Sequence, residues 1–295
     1  MELRHLRYFL AVCEEMNFTK AAERLLIAQP PLSRQIKDLE EELGAKLFVR
    51  EHHALSLTDE GVMFRQYAER ILSLSEKSVD EVKMMHTGLH GTLYIAGVEG
   101  KAPHIISSWI AEFSKKYPEV EYSLWNGNSD DVNMRVQKGL CDVGVITEPY
   151  DPKGIHSLSI YEEPWVAMFS VNHPLASTYG KSGSDSIPLG ILADYDLIIP
   201  SRDSRLREIN DWFAPIGKTP RIRARIAHVI NAYELCLQNM GVAIFPAAAS
   251  DFAPEGVMVR KITDPSFMAK YVCIYSAEHS MSPVAKKFVE YITSR

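Results

Sequence analysis

Through the first ninety residues apolar side chains return every third or fourth position, and after Gly91 they begin to alternate. The first pattern predicts helices and the second predicts strands. Leu3, Leu6, Leu10 and Cys13, with Phe9 beside them, form one helical stripe. Between Phe18 and Phe48 two short helical patterns follow, joined by a tight connection, and the small Ala21 and Ala22 let them cross closely. The second pattern opens on Gln29-Pro30-Pro31. Proline suits a first helical turn, where its missing N–H would lack a partner in any case. Leu32, Ile36, Leu39 and Leu43 mark the buried face of this helix, and Gly44 ends it as a C′ glycine. Leu47 to Arg50 and Leu55 to Leu57 read as two short strands around Glu51-His52-His53-Ala54, in the manner of a wing.

Thr58 is placed to cap a further helix, with Asp59 and Glu60 set well against its dipole. From Asp59 to about His86 there is no proline and only Gly61 as a glycine. That stretch is roughly 28 residues, or about 42 Å of helix. Met63, Tyr67, Ile71, Leu74, Ser78 and Met85 trace a narrow apolar seam along it. So long a helix with so narrow a seam predicts pairing with its own copy; the alternative is a surface helix capping the next domain. Thr87-Gly88-Leu89-His90-Gly91 reads as a hinge.

Beyond the hinge, strand patterns at Thr92–Val98, Val120–Trp125 and Cys141–Ile146 enclose helical patterns at Pro103–Tyr117 and Asp130–Lys138. A second series follows, with strands at Trp165–Val171, Leu197–Pro200, Ile222–Ala227 and Val242–Pro246, and helices at Arg205–Ala214 and Asn231–Asn239. Alternation of this kind predicts parallel sheets with right-handed crossovers. Two α/β lobes result, with the chain crossing near Tyr161–Glu163 and returning near Asp264–Phe267.

Composition narrows the class. With 46% apolar and 24% charged residues over 295 positions, the chain suits two or three globular domains. No apolar run is long enough to span a membrane, and the N-terminus lacks a signal-peptide pattern, so the cytoplasm is the expected location. Cys13, Cys141, Cys236 and Cys273 show no C-x-x-C spacing and read as reduced thiols. Residues 1–90 carry 12 Lys plus Arg against 15 Asp plus Glu, a net of −3. Such a balance argues against a general affinity for nucleic acid. The distribution argues otherwise. In the helix that opens on Gln29, Arg34 and Lys37 precede Asp38, Glu40, Glu41 and Glu42, so positive charge gathers at one end and the acids trail away. A helix-turn-helix built this way fits a DNA major groove.

The elements LRHLRYF, AAERL, QPPLSRQI, LEEELG, L-F-x-R and LTDEG follow one another in order. They closely resemble the N-terminal domain of the LysR-type transcriptional regulators, and residues 91–295 look, more weakly, like the family's effector-binding domain. Regulators carrying QPPLSRQ include several that respond to small aromatic acids. The resemblance implies a winged helix-turn-helix at 1–58, all-α but for its wing, and a linker and dimerisation helix at 59–88. It implies an effector-binding domain at 89–295, α/β and bilobed like periplasmic binding proteins, with lobe I at 91–161 and 267–295 and lobe II at 162–266. It further implies promoter DNA as partner, homodimers assembling to homotetramers, RNA polymerase as a candidate contact, and a small-molecule effector with no cofactor.

On the DNA side the resemblance assigns Gln29, Pro30, Pro31, Ser33 and Arg34 to the major groove, with Lys37 beside them and Arg50 at the base of the wing. Gln can pair with adenine and Arg can make two bonds to guanine. Pro30 and Pro31 equally serve to start the helix. His53 departs from the family, in which an arginine there commonly reaches the minor groove; a neutral imidazole gives up the phosphate attraction and part of the A/T-tract preference. On the effector side, ligands of parallel α/β sheets bind at the carboxyl ends of strands, near helix N-termini. Glu99, Gly100 and Lys101 follow the first strand, Asn128 and Ser129 the second, and Ser201 and Arg202 a strand of the second lobe. His228 and Asn231 end another strand, and Phe245 offers an apolar wall. Each of these residues equally suits a cap or the lining of a solvated cleft. Glu99 departs from the small polar residues usual in the family; it would repel an anion unless Lys101 or Arg202 neutralises it, or would take an amine or hydroxyl.

Two other classes fit the sequence less well. An enzyme on the α/β lobes is disfavoured, since the chain has no G-x-S-x-G, P-loop, G-x-G-x-x-G after a strand, or H-E-x-x-H, and its histidines lack metal-ligand spacing. A solute-binding protein suits the lobes but not the helix-turn-helix or the missing signal peptide. A mobility-shift assay on the DNA upstream of the gene separates these readings from the regulator.

Overall fold

The structure is a computed structural model and describes residues 1–51, 54–87, 89–180 and 185–294. The chain divides into two compact units, Met1–Gly88 and Leu89–Arg295. In the first, α1 (Leu3–Glu15), α2 (Phe18–Arg24) and α3 (Gln29–Leu43) precede β1 (Phe48–Glu51), β2 (Ala54–Leu57) and α4 (Asp59–Thr87). The Asn17 side chain starts α2 by accepting from the Thr19 and Lys20 N–H groups at 2.9 and 3.1 Å. The connection to α3 passes through Leu26, which has φ +56°. Gly44 ends α3 at φ +66° in the left-handed region, as its C-terminal position requires.

The core of this unit corrects the first helical stripe. Leu6, Phe9, Val12 and Cys13 are buried, whereas Leu3 is exposed and Leu10 only half-buried. On α3, Leu32, Ile36 and Leu39 are buried as expected, but Leu43 is exposed and Glu40 is buried. Glu40 Oε1 accepts from the Leu47 and Phe48 N–H groups at 2.9 and 3.3 Å, and Oε2 pairs with Lys46 at 2.7 Å. One carboxylate therefore fixes α3 to the root of the β1–β2 pair. Phe9, Phe18, Phe48 and Phe64 pack edge-on or tilted at 5.1–5.8 Å between ring centres. Thr58 caps α4 by accepting from Gly61 N–H at 2.9 Å while donating to the Lys46 carbonyl at 2.6 Å. A Cβ at Gly61 would lie 2.1 Å from the Leu47 carbonyl oxygen, so the start of α4 sits against the wing only as glycine.

The second unit holds β3 (Gly91–Gly97), α5 (Ala102–Lys116), β4 (Val120–Asn126), α6 (Ser129–Gln137), β5 (Val143–Thr147) and β6 (Ile155–Ser170). Then come α7 (Ala176–Tyr179), β7 (Ser186–Pro188), α8 (Leu189–Leu192), β8 (Asp196–Pro200), α9 (Asp203–Phe213) and β9 (Arg221–Ile226). The chain ends with α10 (Val229–Leu237), β10 (Val242–Pro246), β11 (Val257–Thr263), β12 (Met268–Ser276) and α11 (Pro283–Thr293). The strands run in the order β4-β3-β5-β12-β6-β10-β8-β9, with β11 and β7 attached to β6.

The 16-residue β6 passes through both lobes. Up to Pro164 it pairs with β12, and from Trp165 it pairs with β10. Both pairings are antiparallel, as is β5 with β12. The all-parallel expectation thus holds for β3, β4 and β5 and for β8, β9 and β10. It fails at the strands that link the lobes, because those strands enter from the opposite end. Alternate residues of β6 serve opposite faces: Trp165, Ala167 and Phe169 join the core under α9, while Val166 and Met168 join the core under α10. In lobe I the C-terminal α11 lays Phe288 edge-on against Phe113 of α5 at 5.0 Å.

Candidate functional site

Two surfaces carry the residues singled out from the sequence. The first is the outer face of α3. Gln29, Pro30 and Pro31 form its first turn, after Ala28 as N-cap. Pro30, Pro31, Arg34 and Lys37 are exposed, while Gln29 and Ser33 are half-buried. Spacing of four and three residues puts Pro30, Arg34 and Lys37 on one stripe. Lys37 forms an exposed pair with Glu41 at 3.3 Å, and Arg34 makes no ion pair among the described residues. Arg4 and Tyr8 of α1 share a surface depression with Pro31, Arg34 and Gln35, a contribution the sequence did not suggest. Arg50 stands in β1 opposite Leu55. His53 lies outside the described residues.

The second is a cavity of about 340 Å³ within the Leu89–Arg295 unit, between the strand ends of its two lobes. Glu99, Gly100, Asn128, Ser129, Arg202, His228 and Phe245 line it. Lys101, Ser201 and Asn231 do not, and each has a reason. The Lys101 N–H is turned to Tyr271 Oη at 3.3 Å, and its Nζ lies over the Tyr161 ring, 5.7 Å from the centre. Ser201 is held through its backbone, N–H to the Ile226 carbonyl and carbonyl to Arg225, at 2.9 and 2.5 Å. Asn231 falls in the first turn of α10 on its exposed side. Trp125, Thr147, Trp165, Arg205 and Tyr271 also line the cavity and were missed. Thr147 ends β5, so the rule that found Asn128 would have found it. Trp165 and Tyr271 lie on the linking strands, whose pairing no local pattern shows.

Gly100 has φ +81°, and a Cβ there would meet Tyr271 Oη at 2.8 Å, so both conformation and space require glycine. Asn128 caps α6, accepting from the Asp130 and Asp131 N–H groups at 2.9 and 3.0 Å. The Ser129 and Thr147 hydroxyls meet at 3.2 Å, both buried. Deeper still, Tyr271 Oη donates to Glu163 Oε1 at 2.7 Å and Ala248 N–H donates to Glu163 Oε2 at 2.9 Å. Burial raises the Glu163 carboxyl above its ordinary pKa, against the lowering effect of those two donors. Burial, followed by the neighbouring Glu163, raises the Tyr271 phenol too.

Two links join the lobes across the cavity. Glu99 of lobe I places Oε1 2.7 Å from His228 Nδ1, and its Oε2 accepts from the Val229 N–H at 3.1 Å. Arg202 of lobe II donates through Nε and Nη2 to both oxygens of Asp130, at 3.1 and 2.7 Å, and through Nη2 to the Pro149 carbonyl at 2.8 Å. Beside it Arg205 is buried, pairs with Glu208 and lies over the Trp165 ring at 4.9 Å. Among the described residues Arg202 Nη1 and Trp165 Nε1 are buried without a hydrogen-bond partner.

Residues 3–62 match the model of the bacterial regulatory helix-turn-helix proteins of the lysR family, and residues 86–295 match the LysR substrate binding domain. The chain belongs to the LysR family. Similar proteins of the family include the HTH-type transcriptional regulator AlsR of Bacillus subtilis, 29% identical over 98% of this chain and 94% of that protein. BenM of Acinetobacter baylyi is 29% identical over 95% of this chain and 92% of its own length. Among solved structures, CbnR complexed with its target DNA superposes with a TM-score of 0.75 at 27% identity, covering 100% of this chain and 99% of that one. As a LysR-family member the protein is a DNA-binding transcription regulator: its N-terminal unit carries the helix-turn-helix and its C-terminal unit the effector-binding α/β fold. Among the described residues no helix is long and apolar enough to cross a membrane, and no cluster of metal-ligating side chains occurs.

Proposed function

We propose that the chain acts as a homodimer on promoter DNA, each copy presenting α3 to the major groove at one half of an interrupted dyad. The observation that carries this reading is the exposed stripe of Pro30, Arg34 and Lys37 at the start of α3, with the acids of that helix behind it. In it Arg34 makes two bonds to a guanine and Gln29 reads an adenine. Ser33 and Lys37 hold phosphates, Pro30 and Pro31 set the angle of approach, and Arg50 and His53 of the wing reach the flanking groove. Arg4 adds a further backbone contact. The half-sites lie about one helical turn apart, roughly 34–36 Å.

Pairing through the exposed Met63, Tyr67, Ile71 and Leu74 of α4 gives the dimer, dimers join into tetramers, and RNA polymerase is contacted at the promoter. The location is the cytoplasm, with no membrane partner, and no cofactor takes part. A small-molecule effector in the cavity between the lobes shifts their angle and alters the bend of the DNA, acting on a population of states rather than by chemistry. The test is a gel shift with the DNA upstream of the protein's own gene. Arg34→Ala is expected to lose about ten-fold or more in affinity. Undiminished binding by that variant would overturn the assignment of α3.

A further inference from the structure

We propose that Glu99 serves as a built-in acid that fills one anion position of the cavity, so that the cavity accepts a small monocarboxylic acid with an apolar body and rejects a diacid. The ligand's single carboxylate is taken by Arg202 and Trp165. This inference rests on the cavity being the effector site and names what that site selects.

Three helices of adequate length begin at the cavity, α6 and α10 with nine residues each and α9 with 11, and at α6 the Asn128 side chain already takes the Asp130 and Asp131 N–H groups. A helix N-terminus draws anions through its free N–H groups and its dipole. At α10 that position is already filled: Glu99 Oε2 holds the Val229 N–H and Oε1 holds the His228 ring. A second carboxylate there would meet Glu99 at close range. At α9, whose first turn carries Asp203, a buried donor is left over. Arg202, the N-cap, commits Nε and Nη2 to Asp130 and Pro149 and leaves Nη1 with no acceptor among the described residues. The Arg202 side chain is only 8% exposed, so water is a poor substitute. Trp165, fully buried, likewise keeps Nε1 without an acceptor. Buried donors left unmade are costly, and a carboxylate offers two oxygens to meet them.

The charge around this end of the cavity points the same way. Arg205 stands three residues from Arg202, and burial, with the neighbouring Arg202 adding to it, disfavours its charged form while Glu208 supports it. A further negative charge at this end would favour the charged form of Arg205. Val98, Pro200, Phe245 and Ala249 supply apolar walls for the rest of the ligand. Neither free nitrogen touches solvent in this arrangement, so entry requires a small parting of the lobes. The links to be loosened, Glu99–His228 and Asp130–Arg202, each have a partner well exposed to water.

The experiment uses the full chain and isothermal titration with three probes on one ring: phenylacetate, its neutral amide, and the diacid 1,4-phenylenediacetate. The wild type is expected to bind phenylacetate at least about ten-fold more tightly than either of the others. Arg202→Gln and the milder Trp165→Phe should each weaken phenylacetate by about ten-fold. Glu99→Ala should shift the ratio of diacid to monoacid affinity by about ten-fold or more toward the diacid, and unliganded melting curves establish that each variant is folded. Equal binding of acid and amide, no binding of the acid, or a ratio unmoved by Glu99→Ala would overturn the inference. A chain that shifts operator DNA yet fails these tests loses this inference alone, whereas a chain that shifts no DNA loses the regulator reading.

Discussion

Glu163 stands 3% exposed where β6 passes from one lobe to the other, held by Tyr271 Oη and the Ala248 N–H. Because burial raises its folded pKa above the ordinary value of 4.5, the fold binds its proton more tightly than the unfolded chain does. Its contribution is therefore fully present below about pH 4.5 and is lost as pH rises through the raised value. Glu163→Gln removes that titration. The melting temperature of the wild type relative to this variant is expected to fall as pH rises above about 4.5, as followed by tryptophan fluorescence. All four tryptophans lie in the Leu89–Arg295 unit, so the signal belongs to the right part of the chain. A difference constant with pH would mean Glu163 is ionised throughout. Glu40 is a second buried acid, and its role is local. Glu40→Ala leaves the Leu47 and Phe48 N–H groups without their acceptor and should cost the N-terminal unit about 3 kcal/mol. Faster hydrogen exchange at those two amides is the measurement, and unchanged exchange would rule the anchor out.

The long helix α4 forms as the sequence predicts, from Asp59 to Thr87 against an expected end near His86. It runs for 29 residues, and Met63, Tyr67, Ile71 and Leu74 are exposed along it, a costly arrangement for a helix in water without a partner. Leu74→Asp is expected to shift the chain from dimer to monomer in light scattering, because a buried seam tolerates no unpaired charge. A variant of undiminished mass would place the interface elsewhere. Elements with strong local signals were legible in the same way. The prolines opening α3 and Gly44 closing it set that helix to within a residue or two, and the strands after Gly91 announced themselves by alternation. What local pattern could not show was pairing between distant segments. The strands β11 and β12 and the helix α11 went unread, and with them the antiparallel seam that brings Trp165 and Tyr271 to the cavity. The sequence places Glu40 in a run of acids that trails away from the positive end of α3, and nothing in the run itself distinguishes the one that turns inward. At the cavity, the strand-end rule reached Glu99, Asn128, Arg202 and His228, but it could not say that two of them spend their charge across the cleft.

For the whole molecule, the reading requires that a ligand held in one compact unit alter the affinity of the other for DNA. Coupling of this kind is reciprocal: if the ligand changes operator affinity by some factor, the operator must change ligand affinity by the same factor. The cross-lobe links give the coupling a physical origin. Glu99 with His228, and Arg202 with Asp130, favour one arrangement of the lobes, and a ligand shifts the balance only by as much as its affinity differs between arrangements. A coupling of about ten-fold needs a differential of roughly 1.4 kcal/mol, more than a single exposed ion pair supplies, so both links contribute. The check is to titrate the bound acid into the full chain with and without saturating operator duplex, and to titrate the duplex with and without saturating acid. The two factors are expected to agree, and both should move toward unity when Glu99 is replaced by Ala, since one of the two links is then gone. Equal factors that ignore Glu99 would show that the lobes communicate through other contacts. Unequal factors would show that ligand and operator act on different assemblies of the chain.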